Sequence, residues 1–116
     1  MKYVIMVYET EAAFRARSDE KDKARYWGAY RAYSQALKEA GVVAGGHALQ
    51  PPFSATTVRV SGGARKVQDG PYAEAKEQLG GFFVVDVPDL DAALDWAARC
   101  PAAADGAVEV RPVLSM

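Results

Sequence analysis

The residues best suited to chemistry lie in one string, Asp69-Gly70-Pro71-Tyr72-Ala73-Glu74-Ala75-Lys76-Glu77-Gln78-Leu79-Gly80-Gly81-Phe82-Phe83. Gly70-Pro71 sets a rigid turn in which the Asp69 carboxylate can accept backbone N–H bonds, as an Asx turn does. If residues 73–78 run extended, Glu74, Lys76 and Gln78 share one face while Glu77 points the other way with Ala73 and Ala75. A Glu–Lys pair beside a fixed Asp can hold a polar ligand. It can also move a proton, with Asp69 or Glu74 as base and Lys76 or His47 as acid. The same charges in a solvated turn would do no more than keep a sheet edge soluble. His47 is the only histidine, and an imidazole titrates near neutrality. It follows Gly45-Gly46, where a bulge could aim the ring, and it reads either as a ligand contact or as a rim residue with a local hydrogen bond.

A second constellation is aromatic. Tyr26, Tyr30, Tyr33 and Leu37 recur at i, i+4, i+7 and i+11, with Trp27 and Ala40 alongside. Such a stripe is ordinarily core, yet buried phenol hydroxyls need partners. Were the stripe to roof a cleft against a sheet, Tyr26, Trp27 and Tyr30 would line an aromatic pocket open at one end. Arg59 and Arg111 alternate with apolar neighbours and are expected to pair with Glu74, Glu77 or Glu109, or to hold a small anion. The pairs Gly45-Gly46, Gly62-Gly63 and Gly80-Gly81 lack the spacing of a phosphate-binding loop. Cys100 sits at a helix end, where the dipole opposes a thiolate, and reads as structural.

These groups must be positioned by a small set of elements. Residues 3–8, Tyr-Val-Ile-Met-Val-Tyr, are apolar on both parities and predict a strand covered on both faces. Ser18 as N-cap, with Asp19 and Glu20 in the first turn, opens a helix over Lys21–Ala40 that Gly41 stops. Val42–Leu49 reads as a strand loosened by its glycines, and Pro51-Pro52 ends it. Thr56–Val60 and Arg65–Gln68 flank the four-residue loop Ser61-Gly62-Gly63-Ala64 as a hairpin. Gly81–Val87 is a further strand. Pro88-Asp89 then opens a second helix with the stripe Leu90, Ala93, Leu94 and Ala97, halted at Pro101, and Val108–Leu114 closes the chain as a strand. That order predicts one domain over residues 1–116: an α+β, ferredoxin-like βαββαβ antiparallel sheet with an inserted hairpin and two helices on one face.

Composition narrows the partners. The chain has 116 residues, half of them apolar and a quarter charged, with a net charge of −1. It offers no basic field for nucleic acid. One cysteine and one histidine make neither an internal disulfide nor a zinc set, so no metal or other cofactor is expected. The opening apolar run is too short for a signal peptide or a membrane span, and a reduced, cytoplasmic protein is expected. Two helices cover one sheet face only, so strands greasy on both sides predict a second copy packed sheet to sheet as an isologous homodimer.

The string at 69–83 resembles the DGPF motif of YCII-related proteins, with Tyr72 where that motif usually has Phe, followed by the Glu-x-Lys-Glu and Leu-Gly-Gly segments. Val42–Gly46, Ala48–Pro51, Thr57–Arg59, Asp91–Ala97 and Val108–Val113 are similar to that family too, so the resemblance spans essentially the whole chain. It implies a ferredoxin-like domain that pairs into a dimeric α/β barrel. The DGPF branch has no generally assigned reaction. Some members accompany extracytoplasmic-function sigma factors, which implies a regulatory accessory role by association. A related branch is proposed to use a His–Asp pair with its histidine on the first helix, but Lys21–Ala40 contains none, so that pair does not carry over. The leading expectation is a homodimer binding a small polar or aromatic molecule, with Asp69, Tyr72, Glu74, Lys76 and His47 at the site and Tyr26, Trp27 and Tyr30 lining it. The alternatives are an enzyme acting on a small carbonyl or hydroxylated aromatic compound, and a protein-interaction module without a ligand.

Overall fold

A computed structural model describes residues 1–116. Alternation along the first strand organises it. In β1 (Lys2–Thr10), Tyr3, Ile5, Val7 and Glu9 are buried while Val4, Met6 and Tyr8 are half-buried on the other face. The apolar parity meets two helices, α2 (Lys23–Glu39) through Tyr33 and Leu37, and α3 (Leu90–Ala98) through Ala93 and Ala97. Tyr33 is the hinge of this layer. Its ring stands edge-on to Phe83 at 5.1 Å and packs against Trp96 at 6.4 Å, and its hydroxyl donates to the Trp96 carbonyl at 2.8 Å.

Four strands make the main sheet, β1, β2 (Val43–Ala48), β5 (Glu77–Asp86) and β6 (Ala107–Pro112), in the order β2-β5-β1-β6 with every neighbouring pair antiparallel. This is an α+β fold whose strand order and helical layer are compatible with a ferredoxin-like domain. The inserted hairpin, β3 (Thr56–Ser61) and β4 (Ala64–Asp69), forms a separate two-stranded sheet. No helix is long and apolar enough to cross a membrane.

Several local expectations need correction. Residues 11–16, without pattern in the sequence, form a short helix α1 (Glu11–Ala16), because the Thr10 hydroxyl caps it by accepting from the Ala13 N–H at 3.2 Å. The long helix starts at Lys23 rather than Lys21, and Ser18 does not cap it. The hairpin loop is two residues, Gly62-Gly63, with φ of +57° and +76°, as a tight type I′ turn requires. Strand β5 begins at Glu77, four residues before Gly81, while 73–76 form no strand. That segment instead curls around Gln78, whose amide donates to the Ala73 and Ala75 carbonyls, each at 2.9 Å. In α3 Ala93 and Ala97 pack inward, but Leu90 and Leu94 lie outward, and Trp96 packs against the core together with Cys100 just beyond the helix. The bulge expected from the glycines of β2 is present between Val43 and Gly45.

Candidate functional site

The parity that buries Ile5 and Val7 carries a carboxylate into the same layer two residues later. Glu9 is 3% exposed, and an ion so placed costs several kcal/mol unless charge and hydrogen bonds surround it. The cap at Thr10 turns the chain at once, and the loop after α1 brings Arg17 back, so that its Nη2 donates to Glu9 Oε1 at 2.8 Å and to the Gly80 carbonyl at 3.0 Å. Arg17 Nη1 also donates to the Leu49 carbonyl, and Nε donates to the Tyr26 hydroxyl at 3.0 Å. The Tyr26 hydroxyl in turn donates across both Glu9 oxygens at 2.7 Å, and Tyr30 donates to Oε2 at 3.3 Å. Phe14 lies under the guanidinium, with its centroid at 4.9 Å, and Trp27 flanks it at 5.6 Å. No buried side-chain polar atom is left without a partner.

This network needs space that two glycines create. A Cβ on Gly80 would stand 2.5 Å from Glu9 Oε1, 3.0 Å from Arg17 Nη2 and 3.2 Å from Phe14 Cε1. Gly80 itself is the extra residue where the β1–β5 register shifts beside Val7 and Tyr8, a bulge that turns its carbonyl to the guanidinium. A Cβ on Gly81 would meet the His47 carbonyl at 2.8 Å, so this glycine lets β2 close on β5. The Leu-Gly-Gly segment is thus a packing requirement of the buried pair.

Above the same glycines opens a cleft of about 730 Å³. Its wall is the α2 face carrying Tyr26, Trp27, Tyr30 and Ser34, and its floor is Gly46, Ala48, Gly80 and Gly81, with Arg31 and Lys38 at the rim. The glycines and Ala48 leave room there, and Val7, Val43 and Phe83 complete the sheet side of the cleft. A broader groove runs from the far side of Trp27 between α1, the Gln50–Phe53 segment and Lys76–Gln78. Trp27 and Arg17 border both hollows.

The residues singled out in the sequence fall into three places. Tyr26, Trp27 and Tyr30 do line one cleft. His47 runs along its edge, but Phe83 faces Tyr33 on the helical side, so the preceding residue, Phe82, and its cross-strand partner His47 face away, their rings 5.9 Å apart. Lys76 borders the broader groove. Asp69, Tyr72 and Glu74 are exposed at the base of the hairpin and beyond it, lining neither hollow. The turn there is closed by Gly70 (φ +100°), whose N–H donates to the Ala55 carbonyl and whose carbonyl accepts from the Thr57 hydroxyl, each at 2.8 Å. Arg59 stacks on Tyr72 at 5.0 Å, and Arg111 pairs with Glu109 at 3.1 Å.

Sequence reasoning missed Glu9 and Arg17. The available signal was parity, since Tyr3, Ile5 and Val7 point to a fourth inward position occupied by an acid. Chemically the network is a fixed scaffold. Burial, together with Glu9, pushes the Tyr26 and Tyr30 phenols well above the ordinary tyrosine range. Burial does the same to Tyr33 and raises the Cys100 thiol. Burial disfavours the Arg17 charge, but bonding to Glu9 and Tyr26 outweighs it and raises its pKa. No cluster of His, Cys, Asp and Glu has a geometry for a metal ion.

Two outcomes follow from the network. Gly80→Ala should cost about 2–4 kcal/mol in urea unfolding, because the added methyl must separate a buried ion pair; an unchanged midpoint would place Glu9 elsewhere. Unfolded tyrosines ionise near pH 10, whereas Tyr26, Tyr30 and Tyr33 keep their protons beyond that. Their neutral forms therefore contribute stability that is complete below about pH 10 and is lost as pH rises further. The urea midpoint should fall above pH 10, and Tyr30→Phe should flatten that fall; identical slopes would mean an exposed phenol.

Comparison with known proteins finds matches over essentially the full length of the chain. The YCII-related domain matches residues 1–116. An uncharacterized protein of Rhizobium meliloti (strain 1021) is 39% identical over 115 residues, covering 97% of this chain and 92% of its own. With the whole sheet, its helical layer and the Leu-Gly-Gly bulge inside the match, the chain belongs to the YCII-related family.

Proposed function

We propose that this protein binds a small molecule with a flat, aromatic or apolar body and a negatively charged end in the cleft between α2 and the β2–β5 edge. The observation that carries the reading is the cleft's construction, a wall of Tyr26, Trp27 and Tyr30 facing a sheet edge of glycines, Ala48, Val43 and Phe83. The wall's polar hydrogens are already used: Tyr26 and Tyr30 donate to Glu9, and the Trp27 indole donates to the Arg17 carbonyl at 2.9 Å. A ligand therefore meets ring surfaces along the wall, and charge recognition falls to Arg31 and Lys38 at the rim, neither of which is in an ion pair. A cytoplasmic setting fits the free, buried Cys100.

The working unit in this reading is a homodimer paired through the sheet face opposite the helices, as a dimeric α/β barrel. Val4, Met6, Tyr8, Phe82 and Val84 lie on that face only half-buried, and no helix of the chain covers it. The chain is also flat, 48 × 45 × 19 Å, with a radius of gyration of 15.8 Å against about 13 Å for a compact domain of this length.

Titration with benzoate and indole-3-acetate should give a saturable heat of binding by calorimetry, and Ala48→Trp, which fills the floor, should abolish it while leaving the fold intact. A response unaffected by filling the cleft overturns the binding site. Sedimentation equilibrium should give twice 12.5 kDa, with Met6→Glu producing single subunits; a wild-type protein that stays single at micromolar concentration overturns the pairing.

A further inference from the structure

The cleft has a length and two different ends. Trp27, Arg31, Ser34 and Lys38 recur at i, i+4, i+7 and i+11 on α2, so they share one face of the helix and border the cleft in that order. From Trp27 to Lys38 the helix rises roughly 16 Å. Arg31 therefore stands about one turn from the indole and Lys38 about three. Strand β2 starts only a few residues after α2 ends, which brings Val43 to the Lys38 end of the cleft. Ala48 lies at the other end, where it borders both hollows together with Trp27 and Arg17.

At the Trp27 end a cross-tie separates the cleft from the broader groove. The Trp27 indole N–H donates to the Arg17 carbonyl at 2.9 Å, and Arg17 Nη1 donates to the Leu49 carbonyl just past the end of β2, so hydrogen bonds run from helix to strand through one residue. Arg17 cannot swing aside, because its other nitrogens are bound to Glu9, Gly80 and Tyr26 and its side chain is only 10% exposed. The indole is fixed upon this tie, edge-on to Tyr26 with centroids 4.8 Å apart and 5.6 Å from the guanidinium. At 36% exposure it is a partition at the surface and not part of the core. Behind it lies the groove of about 1280 Å³, whose lining includes Leu49, Pro51 and Pro52. Of the three residues common to both hollows, Trp27 alone has a large side chain that takes no part in the buried ion pair.

We propose that Trp27 is the specificity-determining residue of the cleft, an end stop that limits how far the body of a bound acid extends away from the rim cations, and that the groove behind it is a closed-off continuation of the same site. The inference rests on the binding reading above and deepens it by fixing the class of ligand: aromatic acids whose body fits between the indole and the cation that holds the carboxylate. A chain placed para to the carboxylate is excluded once it reaches the ring. The stop is sharp because displacing the indole breaks its hydrogen bond to the Arg17 carbonyl as well as its packing on Tyr26.

Calorimetric titration of the full chain with 4-methyl-, 4-butyl-, 4-hexyl- and 4-octylbenzoate, a series long enough to cross that span, tests this, with circular dichroism to show that each variant keeps its fold. Each methylene buried against apolar surface tightens binding about fourfold, so wild-type affinity should climb with the tail and then level or fall where the tail meets Trp27. In Trp27→Ala and Trp27→Leu the climb should continue, raising the preference for 4-octylbenzoate over 4-methylbenzoate at least roughly tenfold above the wild-type ratio. That ratio isolates the stop, since a general loosening of the fold weakens both acids alike. Leu49→Asp, which sets a charge in the groove, should remove the gain that Trp27→Ala confers. Wild-type affinity that climbs through the whole series, or a ratio that neither Trp27 variant changes, overturns the stop while leaving the binding site intact. A gain that survives Leu49→Asp overturns the groove as the continuation. No saturable heat with any of the four acids in the wild-type chain overturns the binding reading itself.

Discussion

One acid in the wrong place for an acid governs this structure. Glu9 continues the inward parity of Tyr3, Ile5 and Val7, so the alternation that builds the core also drives a carboxylate into it. Removing that charge from water is tolerable only if a cation and several donors arrive together. The chain meets the requirement locally, with a helix capped by the very next residue, Thr10, and an arginine eight positions on. The remaining donors come from far along the sequence, as Tyr26 and Tyr30 on α2, while the Gly80 and Leu49 carbonyls satisfy the rest of the guanidinium. The pair therefore ties β1, α1, α2, β2 and β5 into one arrangement.

The glycines follow from it. Gly80 must lack a side chain for the pair to close, and Gly81 and Gly46 must lack one because a Cβ would strike the neighbouring strand's carbonyl at 2.8 and 2.6 Å. Three glycines under one stretch of α2 leave its aromatic side chains standing over an empty floor. The cleft is a by-product of burying an ion pair beside a sheet edge, and this places it at the end of the sheet where Glu9 lies.

Much of the architecture was legible in the sequence, because β1, β5, the long helix and the hairpin each carry strong periodic or turn signals. Tyr26, Trp27 and Tyr30 were legible as a pocket wall for the same reason. What the sequence hid was cross-strand. The short helix α1 depends on one hydroxyl cap and has no apolar repeat beyond Phe14. Glu77 and Gln78 continue β5 because they pair with Thr10 and Glu9, a register visible only once β1 is extended to its true end. The charges at 69–76 looked like a site because they are dense along the chain, yet density in sequence is not convergence in space: Asp69 closes a hairpin base, Lys76 borders the broad groove, and His47 turns to the opposite face. In α3 the stripe's Ala93 and Ala97 face inward as expected but Leu90 and Leu94 do not, because close approach of helix to sheet favours the smaller residue, and Trp96 packs at the core in their place.

The way the network is satisfied also determines how selective the cleft can be. A phenol whose proton is committed to a buried carboxylate cannot reorient toward a guest without leaving that carboxylate short of a donor, at a cost comparable to the whole hydrogen bond. Tyr26 is held further, because it also accepts from Arg17. The wall is thus rigid before anything binds, and a ligand has little ordering of protein side chains to overcome there. Discrimination along the wall then comes from shape, through the fixed tilt of three rings, Tyr26 against Trp27 at 84° and Tyr26 against Tyr30 at 47°. Only the rim, where Arg31 and Lys38 are long, exposed and unpaired, can adapt to the position of a charge. On the proposed binding reading, the cleft is strict about the flat part of a molecule and tolerant of its charged end.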